Sequence, residues 1–208
     1  NEVNVDELWE FFFHSGFIYP EKYEQIKLEK DSYREIYSKI YLSCPHIARH
    51  FIYKVHGSIV GHMAMIRFYH NSWMIHHHAS DPSKNQFAGI RVLTQLIKYA
   101  NNVHNLASAH MRYLFSYFRP EKKFPRKTLG GVVKYLNDPQ KTSIDLFAYL
   151  LLDKTRTAQG SLPDDWVIEK PGKGDFLELL YFYEARSNGL MLKAFDLLSL
   201  NHTPQDLE

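Results

Sequence analysis

The segment from His46 to Ser80 constrains the fold more than any other part of the chain. It is rich in β-branched and aromatic residues, and it is interrupted by short turn sequences at His56-Gly57-Ser58 and Asn71-Ser72. Strand-like runs separated by such short turns are typical of antiparallel neighbours in a sheet. The segment therefore predicts three strands that form a meander.

A helix-like segment follows the predicted meander and precedes another strand. From Gln86 to Asn105, apolar residues recur at three- and four-residue spacing, which predicts an amphipathic helix. Met111 to Phe118 again has the composition of a strand, and Phe124 to Leu136 is typical of a helix. Because a helix between two strands requires a crossover, we expect a parallel pair beside the meander. The predicted fold class is α/β, more narrowly α+β, with a mixed, mainly antiparallel sheet flanked by helices.

Helices are also predicted at the start of the chain. Asp6 and Glu7 precede an aromatic run and indicate a first helix, Pro20 opens a second, and Asp31 is the expected N-cap of a third. Further on, residues 143–152 are typical of either a strand or a buried helix, and periodicity does not separate the two.

The last third of the chain has the signals of a separate part. Pro163-Asp164-Asp165 opens a stretch with the composition of a linker. Beyond it, residues 175–200 predict two amphipathic helices that are broken at Ser187-Asn188-Gly189. We therefore expect one domain over residues 1–160, and a linker with a C-terminal helical hairpin over residues 161–208.

The charge balance argues against a general affinity for nucleic acid. The chain has 25 Lys and Arg against 23 Asp and Glu, a formal net charge of +2. No apolar run approaches the roughly 20 residues needed to span a bilayer, and the first residues lack the pattern of a signal peptide. Cys44 is the sole cysteine, so no internal disulfide can form. We expect a cytoplasmic protein with no membrane span and no nucleic-acid partner.

One basic run stands out from this balance. Arg119 to Lys127 holds five basic residues and one acid. Such a run is either a solvated loop or a loop that contacts an anion, whether phosphate, a nucleotide or an acidic carrier protein.

The junction after the third predicted strand carries the most specific pattern. Ala79-Ser80-Asp81-Pro82, followed by Gln86-Phe87-Ala88-Gly89-Ile90-Arg91, resembles the strand-to-helix junction of GNAT acyltransferases, whose pattern is Q/R-x-x-G-x-G/A. The resemblance implies that backbone N–H groups here bind the pyrophosphate of acetyl-CoA or a longer acyl-CoA. Arg91 departs from the pattern, which has a small residue there, and would either pair with a phosphate or block the site. The cofactor-binding residues implied by the resemblance are Ala79, Ser80, Gln86, Phe87, Ala88, Gly89, Ile90 and Arg91.

Three consecutive histidines lie on the same predicted strand. Strand alternation places His76 and His78 on one face and His77 on the other. The resemblance to GNAT enzymes implies that His76 is the general base, and that Tyr135, on a later helix, is the general acid. Two alternatives remain open. His76 and His78 could bind zinc together with His62 or His70, or each histidine could be half-buried and satisfied by a carbonyl group or a water molecule.

These patterns lead to three hypotheses of function. The first is an N-acyltransferase that takes an acyl group from acyl-CoA or an acyl carrier protein and transfers it by direct attack of an unidentified amine, with no metal. The second is a catalytically silent GNAT-like module that regulates or assembles with the rest of a larger parent chain. The third is a histidine-based metal-binding domain. Residues 175–200 also resemble the opening helix pair of a GNAT domain, as does the chain's own start at Asp6, which implies the beginning of a second, truncated GNAT-like domain.

Overall fold

The computed structural model describes residues 4–148, 150, 163, 165–187 and 189–197. Within it the chain divides into two compact units, residues 1–117 and residues 118–208. The domain boundary predicted at residue 160 lies outside the described residues, so it stays a prediction.

The first unit is built on a four-stranded sheet. Its strands are β1 (Ala48–Val55), β2 (Ser58–Tyr69), β3 (Ser72–Ser80) and β4 (Tyr113–Phe115), in the order β1-β2-β3-β4. The first three strands are antiparallel neighbours, and β4 is parallel to β3. The mixed, mainly antiparallel sheet and the three-stranded meander are therefore confirmed.

The turn between β1 and β2 explains why the meander is tight. His56 and Gly57 both have positive φ angles, +49° and +81°. Two consecutive residues with positive φ form the turn whose twist matches that of paired strands. The local sequence thus determines how β1 and β2 pair.

The described residues of the first unit form four α-helices: α1 (Val5–His14), α2 (Pro20–Ile26), α3 (Lys30–Ser38) and α4 (Ala88–Val103). The side chain of Asn4 caps α1 by accepting the N–H groups of Asp6 and Glu7. The predicted N-cap of α3 is wrong. Asp31 lies inside the first turn, because the helix begins one residue earlier, at Lys30.

The sheet is covered by helices on both faces. On one face, Phe12 and other aromatic residues of α1 pack in one buried cluster with Ile59 of β2 and Ala79 of β3. Burying side chains of this size contributes about 1.5–3 kcal/mol each. The opposite face meets α4, whose first residue, Ala88, lies against Gly61 of β2. The end of β3 is therefore enclosed between α1 and the start of α4.

The second unit contains α5 (Lys123–Leu136), α6 (Lys173–Ser187) and α7 (Leu190–Ala194). The predicted break between the last two helices is confirmed, and Gly189 between them has a φ of +68°. A Cβ atom there would lie 3.0 Å from Cγ of Glu184, so both backbone and packing require glycine.

The predicted strand or helix over residues 143–152 is wrong for the residues that are described. Residues 143–148 and 150 form neither element. Leu146 is 88% exposed and Leu150 is 79% exposed, so the apolar side chains that suggested a regular element are not buried. Among the described residues, no helix is both long enough and apolar enough to cross a membrane.

Candidate functional site

A β-bulge interrupts β3 at the three consecutive histidines. His76 pairs with Ala64, and Ala79 pairs with His62, so two residues of β3 stand opposite Met63 alone. His77 takes up the extra length with a left-handed φ of +50°. The bulge shifts the alternation of side chains along the strand by one position.

This shift corrects the predicted faces of the histidines. The rings of His76 and His77 are 4.2 Å apart, centroid to centroid, whereas His78 forms a hydrogen bond with the backbone of Gly89 in α4. His76 and His78 therefore do not share a face. The prediction that they do is wrong because strand alternation holds only in a regular ladder, and the bulge at His77 interrupts the ladder. A zinc site built on that pair is wrong. The part of the chain that the structure describes holds no group of three or more His, Cys, Asp or Glu side chains that could bind a metal ion.

His77 is held by two tyrosines of the helical layer. The hydroxyl groups of Tyr37 and Tyr41 lie 3.3 Å and 3.2 Å from Nδ1 of His77. Burial raises the pKa of both tyrosines, so both hydroxyls keep their protons at neutral pH. The helical pattern that predicts α3 contains no signal for this polar role, so it was missed.

His62 is oriented by the same bulge. Its Nδ1 atom lies 2.9 Å from the carbonyl oxygen of His77. This bond fixes the neutral tautomer with the proton on Nδ1, so Nε2 is an acceptor. Nε2 of His62 and Nε2 of His76 are buried without a hydrogen-bond partner among the described residues.

The histidines on this face of the sheet are uncharged at neutral pH. Burial lowers the pKa of His62 to about 3 and that of His76 to about 4. Burial likewise lowers the pKa of His50 to about 4, and the ring of His50 stacks on Tyr41 at 4.7 Å. The site therefore offers neutral imidazole nitrogens, and His76 can accept a proton or a hydrogen bond.

The loop between β3 and α4 is shaped by two side chains. The carboxylate of Asp81 accepts hydrogen bonds from the N–H and hydroxyl groups of Ser83, which lowers its pKa. The side chain of Asn85 accepts the N–H of Phe87 at 2.9 Å. The negative charge of Asp81 lies 3.8 Å from the ammonium group of Lys84, which offsets it.

The start of α4 presents backbone donors. The first intrahelical bond runs from the N–H of Arg91 to the carbonyl of Phe87. The N–H groups of Gly89 and Ile90 therefore have no acceptor within the helix. Because these donors lie at the positive end of a helix of 16 residues, they can bind an anionic group.

Arg91 lies on the β1 side of this helix start. Its guanidinium group is 5.5 Å from the ring centroid of Tyr53 in β1. That contact joins α4 to the edge strand. A phosphate contact by Arg91 stays a prediction.

Gly61 allows the helix to approach the sheet. A Cβ atom at Gly61 would lie 3.1 Å from the carbonyl oxygen of Ala88. We expect Gly61→Ala to destabilise the protein by about 1–3 kcal/mol, because β2 and α4 must move apart. Gly131→Ala is the matched control, since nothing lies within 4 Å of a Cβ atom there. Urea unfolding measures both, and a Gly61→Ala variant as stable as Gly131→Ala would contradict the expectation.

Beyond its first residues, the edge of β3 that faces away from β2 pairs with no described strand. β4 pairs only with Ser72, Trp73 and Met74, and no other described strand pairs with that side of β3. The N–H of Asp81 donates to Val60 of β2. Since N–H groups alternate in direction along a strand, the N–H of Ser80 faces away from β2. An extended ligand with amide groups can lie along such an edge.

The predicted donor-site residues thus meet at one end of β3. Ala79 and Ser80 end the strand, and Gln86 to Arg91 begin α4 directly after the loop. Tyr135 lies apart in sequence, on α5 of the second unit, and its side chain is 88% exposed.

The comparisons with known proteins were made on sequence and on structure. Neither a family model nor a curated protein matches the sequence. The structure is similar to an aminoglycoside 6'-N-acetyltransferase solved with coenzyme A, at 21% identity, over 49% of this chain and 51% of that one, with a TM-score of 0.37. The chain therefore spans about half the length of that aminoglycoside acetyltransferase.

Two further solved structures are similar over more of the chain. An acetyltransferase from Streptococcus agalactiae is 13% identical, over 79% of this chain and 89% of that one, with a TM-score of 0.46. A ribosomal-protein-alanine N-acetyltransferase from Brucella melitensis is 11% identical, over 72% of this chain and 93% of that one, with a TM-score of 0.41. All three of these solved structures are acetyltransferases.

Proposed function

We propose that this chain is an N-acyltransferase that transfers an acyl group from acyl-CoA, or from an acyl carrier, to an amine. The observation that carries the proposal is the meeting of an open strand edge and a helix N-terminus at the end of β3. These two features suit the two parts of one donor. The N–H groups of Gly89 and Ile90 suit its anionic phosphate end, and the edge of β3 from Ile75 to Ser80 suits its amide-containing arm.

The reaction follows from this placement of the donor. The amine nitrogen attacks the thioester carbonyl carbon, a C–N bond forms, and the C–S bond breaks. Backbone N–H groups at the open edge stabilise the negative charge that develops on the carbonyl oxygen. Nε2 of His76 accepts the proton that the amine loses, and a general acid, proposed to be Tyr135, returns a proton to the leaving thiolate.

The acceptor is proposed to enter on the face of the sheet at the bulge that is covered by α1 and α3. His76 and His77 lie there beside aromatic rings of α1 and α3, including Phe12 and Tyr37. Such surroundings favour an amine in its neutral form, because a charged ammonium group would lose its hydration. The neutral amine is also the nucleophilic form.

A substitution in the first turn of α4 tests the donor site. We expect coenzyme A at millimolar concentration to raise the melting temperature of the wild-type protein and not that of Ile90→Glu. Ile90 is 42% exposed, and an acid in the first turn of a helix favours the helix. The variant should therefore fold normally while its carboxylate repels the pyrophosphate.

Two control variants separate charge from shape. In Ile90→Gln the new side chain has the shape of glutamate without its charge, so this variant should keep the coenzyme A response. Ile97→Glu adds the same charge two turns along the exposed face of α4 and should also keep it. A wild-type melting temperature that does not move with coenzyme A, or an equal shift in Ile90→Glu, would refute the donor site.

A second candidate function is a module that binds the donor without turnover. The specific observation in its favour is the buried environment of His76, because a base whose pKa is about 4 is a weak base at neutral pH. Thiol release from acetyl-CoA in the presence of a panel of primary amines distinguishes the two. Binding without thiol release for any amine favours the silent module.

A further inference from the structure

Lys22 of α2 holds its ammonium group against the aromatic residues that border the bulge. Nζ of Lys22 lies over the ring of Phe17, 3.9 Å from the ring centroid. The same ring lies 5.4 Å from the ring of His77, centroid to centroid. Burial is the main reason that the pKa of His77 is lowered, and the positive charge of Lys22 contributes to it. Lys22 therefore lies on the face of the sheet where the acceptor amine is proposed to enter.

The ammonium group of Lys22 has no carboxylate partner among the described residues. Its side chain is half-buried, and burial lowers its pKa with no opposite charge nearby to offset the effect. By contrast, Lys27 at the end of the same helix pairs with Glu24. The Phe17 ring attracts the cation, but it offers no carboxylate or carbonyl oxygen to the N–H donors. An ammonium group that has lost part of its hydration is stabilised by an anion beside it, so Lys22 can bind an external anion.

The surroundings of Lys22 restrict the kind of anion. The described residues that pack in the cluster on this face are all aromatic or aliphatic. The histidines beside them, His62, His76 and His77, are neutral at neutral pH because burial lowers their pKa values. A single ammonium group in such surroundings matches the charge of a carboxylate better than that of a phosphate monoester, which is close to twice as large.

We propose that Lys22 binds a carboxylate of the acceptor, so that the acceptor is an amine that also carries a carboxylate, as amino acids do. The inference rests on the proposed function and deepens it by naming the substrate class. The carboxylate takes no part in the making or breaking of bonds. It orients the amine, whose nitrogen attacks the thioester carbon and whose proton passes to Nε2 of His76. Without the ammonium group, a carboxylate on this aromatic face would lose hydration uncompensated.

A binding test of this site needs no turnover. Phenylpropionate is a carboxylate without an amine, and phenylpropanamide has nearly the same shape without the charge. Each is titrated into the full chain, and the rise in melting temperature reports binding. We expect phenylpropionate to stabilise the wild type, and Lys22→Met to weaken its binding about tenfold or more, as the loss of a hydrogen bond between charged groups does. The binding of phenylpropanamide should be the same in both proteins.

The variants are chosen so that folding and charge are controlled. Methionine keeps an unbranched apolar stem beside Phe17 and removes an unpaired, half-buried charge, so the unliganded Lys22→Met protein should melt no lower than the wild type. Lys22→Arg retains the charge and should retain the binding of phenylpropionate. Lys27→Met removes a charge that is exposed and paired, and should leave this binding nearly unchanged.

A turnover test compares amines that differ only in the carboxylate. Thiol release from acetyl-CoA is measured with phenylalanine against phenethylamine, and with β-alanine against ethylamine. We expect Lys22→Met to lower kcat/KM about tenfold for the amine that carries the carboxylate, through KM, and to leave its partner amine unaffected.

The outcomes separate this inference from the proposed function. Thiol release that Lys22→Met slows equally for amines with and without a carboxylate overturns the carboxylate site and leaves the acyltransferase in place. Absence of stabilisation of the wild type by phenylpropionate, or stabilisation that persists unchanged in Lys22→Met, overturns the site as well. Binding of phenylpropionate that depends on Lys22, in a protein that coenzyme A does not stabilise, supports the carboxylate site and counts against acyl transfer instead.

Discussion

Acidification is expected to unfold this protein between about pH 6.5 and pH 4, mostly above the pH at which carboxylates usually titrate. His62, His76 and His78 are mostly buried, and burial lowers their pKa values to about 3, 4 and 4. In the unfolded chain each would titrate near its ordinary value of about 6.5. The unfolded state therefore binds more protons than the folded state over this interval.

The direction and size of the change in the free energy of unfolding with pH follow from that difference in protonation. Because the folded pKa values are depressed, the stability contributed by the neutral histidines is complete above about pH 6.5 and falls as the pH falls. These three groups alone give a slope of about 4 kcal/mol per pH unit in the middle of the interval. His50 and His77, whose pKa values burial also lowers, add to this slope. A domain of ordinary stability, about 5–15 kcal/mol, would lose most of it within two to three pH units.

Urea unfolding at a series of pH values from 7.5 to 4.5 measures the slope. His62→Gln keeps a donor for the carbonyl of His77 and removes one titrating group, so the slope should fall by about 1.4 kcal/mol per pH unit. His56→Asn is the control, since His56 is exposed in a turn with a φ of +49°, which Asn tolerates. A free energy of unfolding that is constant between pH 7 and pH 5 would contradict the expectation.

The fold was predictable wherever a local pattern determines the element. The turn at His56 and Gly57 and the strand-like sequence on either side of it indicated the meander, because turn residues and strand composition act over a few residues. The helix after Gln86 and the break at Gly189 were predictable for the same reason. Residues 143–148 were not, because an alternating apolar sequence becomes a strand only where a partner is available.

The site was less predictable, because its features depend on contacts between distant residues. The bulge at His77 changes which histidines share a face, and strand alternation contains no signal for an extra residue. The hydroxyl groups of Tyr37 and Tyr41 meet His77 across 40 and 36 residues of sequence. The close approach of Ala88 to Gly61 is another such contact, although a glycine inside a strand-like run is itself a signal of a near neighbour.

Loss of the His76 imidazole is expected to reduce the rate of acyl transfer by about 10²–10⁴-fold, the usual contribution of a general base. His76→Ala removes a neutral ring nitrogen that has no partner among the described residues and that lies beside the bulge. The proposed donor site consists of backbone groups of β3 and α4, so the coenzyme A response of the melting temperature should remain. The change should therefore appear in kcat and leave donor binding in place.

His77→Ala is the informative comparison, because the two rings are 4.2 Å apart and differ in their contacts. His77 is tied to Tyr37 and Tyr41, so its loss should lower the melting temperature more and the rate less than the loss of His76. Added imidazole should partly restore the activity of His76→Ala alone, since a free base can occupy the space that the side chain leaves. Thiol release from acetyl-CoA, with an amine that the wild type accepts, measures the rates and the imidazole rescue, and thermal unfolding measures the melting temperatures. Equal losses of rate in the two variants, with imidazole rescuing neither, would exclude His76 as the base and leave the neighbouring neutral imidazole of His62 as the next candidate.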